Sequence, residues 1–236
     1  MHFRNFVYLI LIAVCCGNLN AQTEQYNELM EQDWPNLKKY REANEKIHAD
    51  SIYPKVVFMG NSITEGWVNM RPDFFSEHNF IGRGIGGQTT PQMLIRFMPD
   101  VIDLQPEVVV ILAGINDIAG NNGYSSQKMI TDNIKAMATL ASENNIKVIL
   151  SSVLPAYDFP WRPGLEPAGK VVELNKWIKN FAEKNNYTYL NYFDSTVDDR
   201  LGLKAEFSGD GVHPNALGYA VMEPLVLEAI EKVLNE

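Results

Sequence analysis

Short apolar runs rich in β-branched residues alternate along this chain with longer stretches whose apolar positions recur every three or four residues. The first kind reads as buried strand and the second as amphipathic helix. Lys55-Val56-Val57-Phe58-Met59 predicts a short buried strand, and Asn79-Phe80-Ile81 a weaker one. Glu107 to Ala113 is the clearest, apolar on both faces, and Lys147 to Ser151 and Tyr187 to Asn191 follow. Between them lie helical patterns. Pro91 opens one that carries Met93, Leu94, Phe97, Met98, Val101 and Leu104. Ser125-Ser126 offers a cap for a second, with Ile130, Ile134, Met137 and Ala141 on one face. A third carries Val171, Leu174, Ile178, Phe181 and Ala182, and the last Val226, Ile230, Val233 and Leu234. Strands alternating with helices predict an α/β domain with a parallel sheet covered by helices on both faces. Thr23 to Asp50 is polar, with irregularly spaced apolar residues, and predicts one or two short outer helices broken near Pro35. The segment from Pro155 to Pro167, rich in proline and aromatic residues, is long enough to be functional rather than a simple connection.

The N-terminus breaks this alternation. Arg4 precedes an apolar core from Phe6 to Cys16, too short to span a bilayer, and Leu19-Asn20-Ala21 has the form of a cleavage signal. Residues 1–21 therefore read as a signal peptide for export to the periplasm or beyond, and residues 22–236 as a single domain. An uncleaved anchor or a buried strand is the competing reading. Val14 and Cys15 are poor residues to precede a lipidated cysteine, which argues against a lipid anchor. Both cysteines, Cys15 and Cys16, fall in this segment. A mature protein without them has no disulfide, thiol nucleophile or thiolate metal site. No other run is long and apolar enough to cross a membrane.

At 236 residues, 46% hydrophobic and 21% charged, the chain can bury a core without a metal or disulfide staple. Its net charge of −9 argues against nucleic acid as a partner, because phosphate binding needs clustered Lys and Arg. The same charge argues against an anionic membrane surface or polymer. The oligomeric state is left open.

Candidate chemistry sits at the predicted strand ends, where ligands bind in open α/β sheets. Ser62 follows the first strand in Gly60-Asn61-Ser62-Ile63-Thr64. Gly84-Ile85-Gly86-Gly87-Gln88-Thr89 follows the second, and Gly114-Ile115-Asn116-Asp117 the third. Asp210-Gly211-Val212-His213-Pro214 comes after the last strand, ahead of a helix that Pro214 would open. A serine hydroxyl is a poor nucleophile until an imidazole takes its proton, and a carboxylate orients that imidazole. Ser62, His213 and Asp210 are therefore candidate nucleophile, base and orienting acid. The backbone N–H groups of Ser62 and Gly87 and the amide of Asn116 are candidate oxyanion donors. Each piece alone has a plainer reading as a turn or cap, and Asp117 reads as structural. An imidazole base would make the rate rise with pH through the usual histidine range, about 6–7. Position 64 is Thr, so the Gly-x-Ser-x-Gly elbow of common α/β-hydrolases is absent. The four histidines, His2, His48, His78 and His213, form no metal-ligand spacing.

Together the four blocks resemble the SGNH (GDSL-type) hydrolase family, over about Val56 to Leu225. The stretch Gly84 to Thr90 followed by an amphipathic helix is similar to the family's acetylhydrolase-type members. The resemblance implies a three-layer, flavodoxin-like fold with a five-stranded parallel sheet, and ester hydrolysis with no metal or other cofactor. Two positions depart from the family pattern. Asn61 stands where the first block often has Asp, and Gln88 where the second often has Asp after its glycines.

Secretion, an acidic surface and aromatic residues favour a neutral carbohydrate ester as substrate, with acetyl as the acyl group. Trp161 and Arg162 in the long loop are candidate substrate contacts, with Tyr157 and Phe159 nearby. Trp67, after the nucleophile, is another candidate ring platform, and core packing is the competing reading for both tryptophans. A lysophospholipase or thioesterase remains as an alternative, although no apolar lid-like segment offers a long acyl channel. A non-catalytic glycan-binding relative is the third reading.

Overall fold

The computed structural model describes residue 24 and residues 26–235; the expected signal peptide, 1–21, lies outside the described residues. The chain divides into two compact units, one up to Asn36 and one from Leu37 onward. In the first, residues 26–31 are helical. The second opens with helix α1 (Arg41–Asp50) and contains the sheet. Its strands are β1 (Val56–Gly60), β2 (Phe80–Gly84), β3 (Val108–Ile111), β4 (Lys147–Ser151) and β5 (Thr188–Leu190). All pair in parallel, in the order β2-β1-β3-β4-β5. This is the flavodoxin-like order within a three-layer α/β/α architecture.

Every residue of β1 and β3 is buried, as expected of strands covered on both faces. The intervening helices are α2 (Ser62–Met70), α3 (Pro72–Glu77), α4 (Thr90–Ile95), α5 (Ile115–Ile118), α6 (Gln127–Glu143), α7 (Pro167–Lys184), α8 (Phe193–Thr196) and α9 (Ala216–Asn235). Ser126 caps α6 as its position suggested, its hydroxyl accepting from Met129 N.

Two helices differ from expectation. The pattern opened by Pro91 is not one helix: α4 ends at Ile95, and Met98–Ile102 forms a π-helical turn. Pro99 has no N–H to donate back along an α-helix, and the wider turn closes through Asp103 N to Met98 O at 2.9 Å. Pro214 does not open α9. It pairs in an isolated bridge with Ser208, and Asn215 caps the helix by accepting from Leu217 N and Gly218 N.

Topology explains where a site can form. From β1 the chain moves outward to β2, then returns to β3 on the other side of β1. The connections after β1 and β3 therefore leave in opposite directions and open a crevice at the carboxyl edge. Gly60 lies directly opposite Gly84, so the first two blocks leave the sheet level with each other. Trp67 is core rather than a ring platform. It is buried, stacked on Phe74 and Tyr219 at centroid distances of 5.4 Å each.

Candidate active site

The turn after β1 needs its glycine: a Cβ on Gly60 would meet Thr64 Oγ1 at 1.9 Å. Asn61 then caps α2 by accepting from Ile63 N, and Ser62 becomes the first residue of the helix. Its N–H has no partner one turn back and forms part of the positive end of the helix dipole. Ser62 Oγ lies 2.9 Å from His213 Nε2, across 151 residues of chain. His213 Nδ1 lies 2.7 Å from Asp210 Oδ2. The other Asp210 oxygen accepts from Val212 N and His213 N, at 2.9 and 2.8 Å. Burial pushes the Asp210 carboxyl up, but these N–H donors and the imidazole outweigh it and hold it at about 2. An ionised Asp210 keeps the proton on Nδ1, so Nε2 presents its lone pair to the serine hydroxyl.

Ser208 completes the turn and was not singled out in the sequence. Its hydroxyl sits 3.1 Å from Asp210 Oδ1 and 2.8 Å from His213 O, and accepts from Gly211 N. A serine two places before an aspartate in a glycine-rich stretch is an available, weak signal for such a turn.

Two of the candidate oxyanion donors, at Gly87 and Asn116, meet at Gln88. Gly87 is exposed with φ +74°, a conformation that favours glycine, and among the described residues nothing accepts from its N–H. Asn116 is buried; its Nδ2 donates to Gln88 O at 2.9 Å, and its Oδ1 accepts from Asn121 Nδ2 at 3.0 Å. Its amide is thereby oriented, with one hydrogen on Nδ2 still available. Asp117 ties the same elements together by accepting from Thr90 N and Thr90 Oγ1.

Both departures from the family pattern have local partners. The Asn61 amide oxygen acts as the cap acceptor, while its Nδ2 is buried without an acceptor among the described residues. Gln88 Oε1 accepts from Arg96 Nε at 2.6 Å. Arg96 is fully buried, pairs with Asp100, and donates to Gly60 O and Arg83 O.

Burial raises the Asp117 carboxyl to about 6, against the opposing effect of the Thr90 hydrogen bonds. For an acid raised in the folded state, the stabilising contribution is complete below its unfolded value, about 4, and is lost as pH rises through 6. The melting temperature of the wild type relative to Asp117→Asn should therefore fall between pH 4 and pH 7. A constant difference measured by calorimetry across that range would contradict the assignment.

The loop from Pro155 to Pro167 lies against both halves of the site. The Trp161 ring, 44% exposed, sits 5.9 Å from the His213 ring and packs on Phe159. The Arg162 guanidinium donates to Ala119 O and Gly120 O at 2.7 and 2.9 Å, just beyond Asn116. It latches the loop to the third block, which leaves Trp161 as the ring facing the site. A cavity of about 280 Å³ adjoins Asp210 and Gly211, lined by Tyr157, Phe159, Pro160 and Arg200 among others.

A parallel sheet in this order, with Ser62 and His213 meeting at its carboxyl edge, defines the class: the SGNH hydrolase α/β/α fold. The chain belongs to the GDSL-like Lipase/Acylhydrolase family, whose model matches residues 58–221. It is 46% identical to a GDSL-like lipase of Bacteroides thetaiotaomicron VPI-5482, with a TM-score of 0.80, covering 85% of this chain and 99% of that structure. It is 31% identical over 121 residues to the uncharacterized lipoprotein YqeF of Bacillus subtilis, covering 44% of this chain and 49% of the relative. It is also 26% identical over 130 residues to a multidomain esterase of Ruminococcus flavefaciens, covering 55% of this chain and 16% of that protein. The chain thus spans about half of one curated relative and a small part of the other. Among the described residues, no helix is long and apolar enough to cross a membrane.

Proposed function

We propose that this chain is an exported serine esterase that removes small acyl groups, acetyl above all, from carbohydrate. The observation that carries the catalytic part is the 2.9 Å approach of Ser62 Oγ to His213 Nε2, with Asp210 behind the ring at 2.7 Å. His213 takes the hydroxyl proton as Ser62 Oγ bonds to the ester carbonyl carbon, and the carbonyl oxygen becomes an oxyanion. The N–H groups of Ser62 and Gly87 and the Asn116 amide receive that charge. As the intermediate collapses, the C–O bond to the alcohol breaks and His213 protonates the departing oxygen. Water, deprotonated by the same imidazole, then attacks the acyl-enzyme and releases the acid and free Ser62. Asp210 orients the ring and stabilises its charged form.

Membership of an acylhydrolase family and the likeness to an esterase support ester hydrolysis. Trp161 beside His213 supports a sugar as the alcohol, because the leaving group must lie where His213 can protonate it and the ring offers a face for packing. Export rests on Arg4, the apolar run to Cys16 and the Leu19-Asn20-Ala21 signal. The lipoprotein relative agrees with export. N-terminal sequencing of the exported protein should begin at Gln22.

A fluorophosphonate should label the wild type covalently and fail to label Ser62→Ala; equal labelling of both would end the serine mechanism. In an acyl-length series of nitrophenyl esters, acetate should be preferred, and an acetylated-sugar panel should release acetate. Preference for long chains would point to a lysophospholipase or thioesterase instead. Asn116→Ala should lower kcat by about 10²- to 10³-fold with KM nearly unchanged, the loss expected for one oxyanion donor. A loss confined to KM would assign Asn116 to substrate binding.

A further inference from the structure

We infer that Glu65 is a positioning residue for the oxyanion site, and that Lys39 makes its charge tolerable there. The inference rests on the reading of Ser62 and Gly87 given above. Ser62 and Glu65 stand three positions apart in the first turn of α2, so their side chains share one face. The loop from Gly84 to Gln88 runs directly against that face. A Cβ on Gly84 would lie 2.3 Å from Glu65 N, and one on Gly86 would lie 3.0 Å from Glu65 Oε2 and 3.9 Å from Ser62 Cβ. This approach puts Glu65 Oε2 2.7 Å from Gly86 N, whose N–H donates to it. A hydrogen bond to an ionised acceptor is stronger and shorter than a neutral one.

The tether is one residue from the Gly87 N–H. On either side the loop is held at Gly84 O by the Tyr40 phenol and at Gln88 O by the Asn116 amide. Gly87, between the last two anchors, has open space around its Cα and a left-handed backbone, so its direction depends on its neighbours. A glycine pair without an anchor would sample many orientations, and an oxyanion donor works only when preorganised.

A carboxylate so near a forming oxyanion would oppose it. The second Glu65 oxygen is paired with Lys39 Nζ, which offsets that charge. Both side chains are roughly a quarter to a third exposed, at 27% and 32%, where an ion pair adds little to stability. Catalysis, rather than folding, should therefore register the loss.

The test is kcat and KM on 4-nitrophenyl acetate, with melting temperatures, for Glu65→Met, Glu65→Asp, Glu65→Gln, Lys39→Met and Ser62→Ala. Glu65→Met deletes the acceptor at similar length and should lower kcat by about 30-fold, less than the loss expected when an oxyanion donor is removed outright, with KM within about twofold. Glu65→Asp keeps the charge but draws it back by one methylene, and should fall similarly. Glu65→Gln keeps an acceptor in reach and should retain kcat within about threefold. Lys39→Met should lower kcat by about three- to tenfold. Wild-type kcat in Glu65→Met, or in Glu65→Asp should the methionine variant not fold, would overturn the inference. So would equal losses in the Gln and Met variants. If Ser62→Ala keeps wild-type activity, the serine mechanism falls and this inference with it. If only Ser62→Ala is impaired, this inference falls alone.

Discussion

Replacing His213 by alanine is expected to lower kcat on 4-nitrophenyl acetate by roughly 10⁴- to 10⁶-fold, the range seen when the base of a serine triad is removed. The fold should survive, because the His213 side chain is 37% exposed and its ring contacts are Ser62, Asp210 and Trp161. Asp210→Asn should cost less, about 10²- to 10⁴-fold. Asparagine keeps an oxygen for Val212 N and His213 N, but turns an amide N–H₂ toward Nδ1 and so favours the wrong tautomer. Since the carboxyl is held at about 2, Asp210 stays ionised across the working range and adds no step to the pH profile above about pH 4. A His213→Ala variant within tenfold of wild type, or an Asp210→Asn loss larger than that of His213→Ala with folding intact, would contradict these roles. Circular dichroism and stopped-flow ester hydrolysis measure both.

Arg96→Met should be the most destabilising single change considered, by about 3–5 kcal/mol in urea unfolding, as expected when one partner of a buried ion pair is removed. Arg96 is fully buried and donates to Asp100 Oδ2, Gln88 Oε1, Gly60 O and Arg83 O at distances from 2.6 to 2.9 Å. Methionine fills much of the volume but leaves the Asp100 carboxylate without its counter-charge. It also strips a donor from the last residue of β1 and from the penultimate residue of β2. Those two strand ends launch the turns that carry Ser62 and Gly87, so activity should fall as well. Arg96→Met combined with Asp100→Leu should lose less stability than Arg96→Met alone, because the Asp100 carboxylate is removed together with its paired guanidinium, although the buried Arg83 then loses its neighbouring negative charge. Asn44 Nδ2 also donates to Asp100 Oδ1, which keeps the double variant below wild type. A single-variant loss under 1 kcal/mol would mean that water reaches Asp100 and that the network is not closed.

β1, β3 and β4 were legible because each is a run of mostly β-branched or apolar residues that is almost wholly buried, and such a run carries its own signal. All five strands lie where the pattern placed them, to within two residues at either end, apart from the longer reach of β2 to Gly84. The helix through Pro99 was misread because its apolar spacing continues past a residue that cannot donate, and spacing alone does not register a missing N–H. The Pro214 expectation failed in a similar way. A proline before a helical stretch suits a first helical position, but the bridge to Ser208 claimed it first and Asn215 took the cap.

What the amino-acid order determined by itself was local: the alternation of strand and helix, and the serine, glycine, asparagine, aspartate and histidine at the ends of elements. Periodicity and turn chemistry act over a few residues, so they can be read there. Tertiary structure alone decided which groups support them. Arg96 reaches Gly60 O across 36 residues, Glu65 reaches Gly86 N across 21, and Arg162 reaches Ala119 O across 43. In each contact one partner is a backbone carbonyl or N–H, a group carried at nearly every position, and no residue pattern marks which of them a distant side chain will meet.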